Sequence, residues 1–475
     1  RIESAHHAVL HHLRDLRAHL LERRRKAEPL SLDVVEQPAL ELERGALSGR
    51  RRGHARAGEE VERQLRVEIV VADLEAAADH APRHDVEHGD LPPDLDLLPI
   101  AGRYLKNTIG VDLRQQMEFI ITSRGCPSSC SFCSSPGFWG RRLRFRSPQA
   151  IIGEIRYLRD RLGLIYFSIR DDTFTADRER VIDFCRGLLQ ERIFILWNCQ
   201  SRVNALDAEM LGWMKRAGCE CIQLGIESGS EKVLASLGKR ITPAESELAA
   251  RLVRDAGIRL SVYLIAGTPL EDNEDIKATC RLVESIRPND GQVSPLVYYP
   301  GTALYDLGVK NGKVASDIFE RERAVSFPVR SDRNVSKSTS RLLKSLDSAA
   351  ERCHFTPTDF RRQKRLLGYC HTTNLMAGEY YLACGDPGAG EKEYLEIVGN
   401  EPDNPWGWLS LGELYGGEGR VGDAVEAFKK LTELVPAHVP AYRALGELCA
   451  IAGDKGMARQ YFLRADEMTS REKKG

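Results

Sequence analysis

Three cysteines crowd the stretch Ser123–Ser135, written SRGCPSSCSFCSS: Cys126, Cys130 and Cys133. Thiolates this close bind metal or exchange disulfides. A closed zinc site takes four ligands, usually as two separated pairs, and this stretch has three. The next cysteine, Cys185, falls in a predicted helix that faces elsewhere. A redox Cys-x-x-Cys pair would use Cys130 and Cys133 and leave Cys126 idle. An iron–sulfur cluster held by three thiolates leaves one iron free, and that iron can take a small chelating ligand.

The elements around this loop are regular. Phe119–Thr122 reads as a short strand that runs straight into the cysteines. Ser147-Pro148 reads as a helix N-cap with proline in the first turn, opening a helix to Leu162 with Ile151, Ile152, Ile155 and Leu158 on one face. Strands are then expected at Leu164–Ile169, Phe194–Cys199, Cys221–Ile226, Arg259–Ile265 and Gly291–Val297. Helices are expected between them at Arg178–Leu189, Ala208–Ala217, Pro243–Ala256 and Asn273–Ile286. Six strands alternating with helices predict an α/β fold with a parallel sheet. Chemistry in such folds sits at the carboxyl ends of the strands. Those ends carry the cysteines, Asp171-Asp172, Ser201-Arg202, Glu227-Ser228-Gly229, Gly267-Thr268-Pro269 and Tyr299-Pro300-Gly301.

With its aromatic Phe132 before the last cysteine, the cysteine motif resembles the radical S-adenosylmethionine enzymes over residues 90–305. The resemblance implies that the sheet curves into a partial six-unit βα barrel and that Cys126, Cys130 and Cys133 hold a 4Fe–4S cluster whose free iron chelates S-adenosylmethionine. It places Phe132 near the adenine and Asp171 and Asp172 at the methionine amino group. Ser201 and Arg202 fall at the ribose and carboxylate, and Glu227, Ser228 and Gly267 on the other cofactor-facing loops. The implied chemistry is one-electron cleavage to a 5′-deoxyadenosyl radical, which abstracts hydrogen from an unreactive carbon. The implied electron source is a low-potential donor such as flavodoxin or ferredoxin. The stretch LPPDLDLLPIAGRYL, with IRDDTFT, WNCQSR, LGIESGSEKVL and YYPGTALYD, is most similar to the cobalamin-type branch, many of whose members are methyltransferases. Residues 1–90 lack the alternating pattern that could cradle cobalamin, so cobalamin binding is not expected. The methylthiotransferase branch needs a further cluster upstream, and no cysteine precedes Cys126.

Composition narrows the rest. A net charge of −1 over 475 residues argues against a nucleic-acid partner. No apolar run is long enough to span a membrane. Twelve cysteines without an export signal read as reduced thiols plus a metal site, hence a cytoplasmic protein. Residues 1–90 form an atypical segment with a predicted helix at 3–26, a strand-like run at 66–72, and His6, His7, His11 and His12 on a polar helix face. Cys353, Cys370, Cys384 and Cys449 are spaced too widely to argue for a second cluster, and Cys219 and Cys221 read as packing.

The chain ends in a 34-residue repeat. Gly378, Gly412 and Gly446 align, as do Tyr394, Phe428 and Phe462. This is the tetratricopeptide length and pattern, small residues where paired helices touch and an aromatic on the second helix. The expected division is 1–90 atypical, 91–311 core, 312–372 linker or lid, and 373–475 three repeats that fold apart from the core and take a protein or peptide partner. The competing function is a binding adaptor with a structural or electron-carrying cluster. The polar strand ends favour the enzyme.

Overall fold

The structure, a computed structural model, describes residues 117–315 and 333–471. The elements expected before residue 117, and the stretch 91–105, lie outside the described residues. Six strands form one sheet: β1 Met117–Ile120, β4 Tyr166–Ile169, β5 Leu196–Ser201, β6 Cys219–Glu227, β7 Arg259–Ala266 and β8 Asp290–Pro295. They lie in chain order and every neighbouring pair is parallel. A small antiparallel pair, β2 Ser123–Arg124 and β3 Arg144–Phe145, brackets the cysteine loop.

Helices α1 Ser135–Phe138, α2 Pro148–Leu162, α3 Arg178–Gln190, α4 Ala208–Arg216, α5 Glu231–Ser236, α6 Pro243–Asp255, α7 Asn273–Ile286 and α8 Ala303–Lys310 fill the crossovers and the end of the core. Their starts follow local chemistry. Ser147 accepts a hydrogen bond from the Ala150 amide at 3.2 Å, with proline in the first turn of α2. Thr242 with Glu245, and Asp272 with Asp275, form capping boxes at α6 and α7.

Alternation along the strands separates two faces. Phe167, Ile169, Trp197, Cys199, Ile222, Leu224, Leu260 and Val262 point outward into the core shared with the helices. Trp197 packs edge-on against Phe174 and Phe184, and its indole N–H donates to the Ala217 carbonyl at 2.8 Å. The opposite face is polar. Ser168 bonds Asn198 at 2.7 Å and the Tyr263 hydroxyl donates to Gln223 at 2.8 Å.

The segment expected as linker or lid holds two helices, α9 Arg333–Glu351 and α10 Pro357–Leu367. Leu342, Leu346 and Ala349 of α9 are buried in the main core, so this helix is a layer of the barrel's outer wall. Its charged and Ser-rich composition hid a narrow apolar stripe, which is all that a helix on one wall needs.

The carboxyl-terminal array is α11 His371–Ala383, α12 Pro387–Asn400, α13 Pro405–Gly417, α14 Val421–Leu434, α15 Val439–Ile451 and α16 Lys455–Arg471. First helices start at His371, Pro405 and Val439, each 34 residues after the last. In every pair the aligned glycine faces the aligned aromatic. A Cβ at Gly412 would come within 2.9 Å of the Phe428 ring. Gly412→Ala is therefore expected to lower stability by about 1–2 kcal/mol, the overpacking cost outweighing a helix-propensity gain of roughly 1 kcal/mol. Urea unfolding of the full chain checks this, and an unchanged or raised midpoint would mean that the two helices can part.

Core and array meet at a buried lysine. Lys215 of α4 is fully buried, and its ammonium donates to the Gly257 carbonyl at 2.6 Å beside the Met376 sulfur. Burial pulls it down from 10.5 to about 8. Below pH 8 both states hold the proton and stability is flat. Between about pH 8 and 10.5 the folded state releases a proton that the unfolded state keeps, so stability rises with pH. Denaturant unfolding at pH 7, 9 and 10 is expected to show this gain in the native protein and to show it diminished in Lys215→Met.

Candidate functional site at the carboxyl edge of the sheet

The cysteine loop leaves β1 at the carboxyl edge and is pinned from three sides. At its base, Asp171 is 1% exposed. One carboxylate oxygen accepts from the Thr122 amide at 2.6 Å; the other accepts from the Thr122 hydroxyl and from the Ser123 hydroxyl at 2.6 Å. Arg180 of α3 is buried beside it and donates to the Thr122 carbonyl at 2.8 Å. On the loop's far side the Ser131 amide donates to the Leu237 carbonyl at 2.8 Å, and the Leu304 amide donates to the Ser131 carbonyl at 2.8 Å. Gly238, with φ of +61°, backs onto the loop: a Cβ there would sit 3.0 Å from the Ser129 carbonyl and 3.8 Å from the Cys130 Cα. Loops after β1, β6 and β8 thus hold one another.

Cys126 is buried and Cys130 and Cys133 are half-buried; all three are free thiols. Burial pushes the Cys133 thiol up to about 11; the Ser135 amide opposes this, while Asp172, Cys130 and Cys126 add to it. Asp172 accepts a hydrogen bond from Ser135 at the start of α1. Its carboxyl is raised by burial, with the Asp171 charge adding to the effect and the Ser135 bond opposing it. Phe132 packs into a small apolar cluster with Val233, Leu237, Ile265, Tyr298 and Leu304.

The other residues expected at the site line the same edge. Ser201, at the end of β5, shares a hydrogen bond with Thr175. Arg202 follows it, half-buried. Ser228 shares a 3.1 Å bond with Thr279 of α7 and accepts from the Ser230 amide at 3.1 Å. The Gly267 amide donates to Glu271 at 2.6 Å, and the neighbouring Thr268 hydroxyl is buried without a hydrogen-bond partner among the described residues.

Glu227 stands apart. It ends β6 at φ of +66°, a left-handed conformation that side chains rarely adopt, at a break in the pairing with β7. Its carboxylate pairs with Lys239 at 2.7 Å, both side chains under 10% exposed. Gly225 leaves room for the pair: a Cβ there would meet the Glu227 carboxylate at 2.6 Å and the Lys239 ammonium at 2.9 Å. Sequence reading missed Lys239, Thr122 and Arg180. Nothing in spacing marks Lys239, which lies 12 residues from its partner in the loop after α5. The four distant cysteines stay apart. Cys370 faces the Lys215 carbonyl, Cys353 faces Arg254 and Cys384 is exposed.

Residues 120–283 match the family model of the Radical SAM superfamily, so the chain carries a domain of that superfamily. An uncharacterized methyltransferase of Pyrococcus horikoshii, PH0819, is 31% identical over 53% of this chain and 53% of its own length. The anaerobic magnesium-protoporphyrin IX monomethyl ester cyclase of Cereibacter sphaeroides is 31% identical over 42% of this chain and 33% of its own. The solved radical S-adenosylmethionine methyltransferase TsrM of Kitasatospora setae overlays 53% of each chain at 17% identity with a TM-score of 0.40. The chain thus spans a third to about half of the length of these two curated relatives.

Proposed function

We propose that this chain is a radical S-adenosylmethionine enzyme. The observation that carries the reading is the set of three free thiols on a single pinned loop at the carboxyl edge of a parallel sheet. Cys126, Cys130 and Cys133 lie within eight residues of one loop, one ligand short of a closed zinc site. That donor set suits a cluster whose thiolates reach separate irons better than it suits one zinc ion. When bound, a 4Fe–4S cluster supplies the electron that turns S-adenosylmethionine into a 5′-deoxyadenosyl radical.

The residues divide the remaining work. Cys126, Cys130 and Cys133 hold the cluster. Asp171, with both carboxylate oxygens engaged on Thr122 and Ser123, positions the base of the loop, a role different from the cofactor contact expected from the sequence. Asp172, Ser201, Arg202, Glu227, Ser228 and Gly267 line the edge where the cofactor would lie, and Phe132 closes its apolar side. The relatives' names support a methyltransferase-type transformation of an unidentified substrate. A low-potential flavodoxin or ferredoxin would supply electrons, and the 34-residue repeat supports a tetratricopeptide-type array. Free thiols and a reduced cluster suit the cytoplasm. No helix of the described residues is long and apolar enough to cross a membrane.

Anaerobic reconstitution with iron and sulfide, then S-adenosylmethionine and dithionite, is expected to yield 5′-deoxyadenosine. A fully loaded cluster that leaves S-adenosylmethionine intact would overturn the reading. Equilibrium dialysis with hydroxocobalamin is expected to show no stoichiometric binding to this chain, and binding would mean that residues 1–90 carry a fold their pattern does not show.

A further inference from the structure

We propose that the helical array is the built-in floor of the barrel, its inner face bound to the amino-terminal rim of this chain's own sheet and thereby withheld from peptide ligands. The inference does not rest on the radical chemistry, since every contact it uses lies at the opposite edge from the cysteines.

The rim is covered strand by strand. Before β4, Gly163 lies so close to the turn between α14 and α15 that a Cβ would come within 2.3 Å of the Ala437 carbonyl. The next rim residue but one, Ile165, is buried in the array's own apolar cluster with Leu375, Trp406 and Leu445, and Tyr166 and Leu196 pack against it. Before β5, Arg192 forks onto both oxygens of Asp403, one at 2.6 Å, and Phe194 meets the edge of His371 with ring centres 5.8 Å apart. Before β6, the Lys215 carbonyl accepts from the Thr372 hydroxyl at 2.9 Å. At the first residue of β7, Arg259 donates to Glu379 at 2.6 Å and to Glu220 of β6 at 3.0 Å. Glu220 also takes the Tyr166 hydroxyl, and Asn198 donates to Tyr166 at 3.1 Å. A chain of hydrogen bonds thus runs from α11 across β7 and β6 to β4 and β5 on the polar inner face.

Four consecutive strands are capped by the array. A repeat array used for ligand capture would leave its inner face to solvent, but here Trp406 and Leu375 of first helices pack against the barrel. The occupant is the core itself. A peptide partner would have to displace a mixed surface of buried apolar side chains and a bidentate arginine–carboxylate pair.

Two experiments on the full chain test this. In the first, Arg192→Glu and Asp403→Arg are made singly and together, and amide hydrogen exchange is followed over residues 163–168 and 194–198. Each single reversal is expected to speed exchange there by roughly fivefold, the scale of a partly exposed ion pair, and the swapped double variant to restore native protection. Unchanged exchange in both singles would overturn the proposal. In the second, a protease site is inserted after Gly368 and cut in the folded protein. The two fragments are expected to co-elute in gel filtration. An array that elutes by itself, folded, would show that its inner face is free and overturn the floor.

Discussion

Replacing Cys126, Cys130 or Cys133 with alanine, one at a time, is expected to leave the protein without its cluster. Two thiolates cannot hold a cubane whose third iron is then open to water, and the loop contributes no spare ligand. Asp172, whose charge acts on Cys133, is already bonded to Ser135. Iron content after reconstitution and the brown absorption band read the result. Cys185→Ala and Cys221→Ala are the controls and should keep full iron, since Cys185 is buried in the outer core and Cys221 lies near the amino end of β6. A single cysteine variant of the loop that retained native iron would remove the assignment of that residue, and full iron in all three would remove the site. The rest of the fold should tolerate these changes, because Asp171, Arg180 and the Leu237 and Leu304 contacts pin the loop independently of metal.

The second large effect is expected at Lys239. Its ammonium and the Glu227 carboxylate are buried together at 2.7 Å, so Lys239→Met strands a carboxylate in a site that water scarcely reaches. Removing one member of such a pair costs about 3–5 kcal/mol, whereas replacing both with neutral groups of similar size costs far less. Glu227→Gln combined with Lys239→Met should therefore be more stable than Lys239→Met alone. Chemical denaturation of the three proteins measures the ordering. The consequence reaches the cluster loop, because Lys239 follows Gly238, whose backbone lies against Ser129 and Cys130. Loss of the pair should also free β6 from its left-handed end at Glu227. A Lys239→Met protein as stable as the native one would mean that the pair is solvated and that the strain at Glu227 has another cause.

The 34-residue period and the docking of the array are written into the chain in different ways. The period was legible because Gly412 and Phe428, and their counterparts, are selected by contacts inside one helix pair. The docking was not, because it is written in residues with no mutual spacing. Arg192 and Asp403 lie 211 positions apart and Arg259 and Glu379 lie 120 apart. Cutting the chain before residue 373 would uncover Ile165 and take Asp403 from Arg192 and Glu379 from Arg259, and that truncation is expected to be less stable than a separable core would be.

The amino-acid sequence by itself determined the order of strands and helices, the sheet's parallel sense, the loop that carries the three cysteines and the repeat length. Each rests on short-range physics: apolar alternation, caps such as Ser147-Pro148 and Thr242-Pro243, and ligands packed into one turn. Boundaries drifted by one to two residues, as at β1 and β5, where strand ends depend on what the neighbours pair with. Tertiary structure alone decided which polar groups at the strand ends are free and which are engaged. It spent both oxygens of Asp171 on Thr122 and Ser123, brought Lys239 to Glu227, laid α9 against the sheet and closed the barrel's floor with the array. Those outcomes depend on distances between residues far apart in the chain, which hydrophobic periodicity and local spacing do not encode.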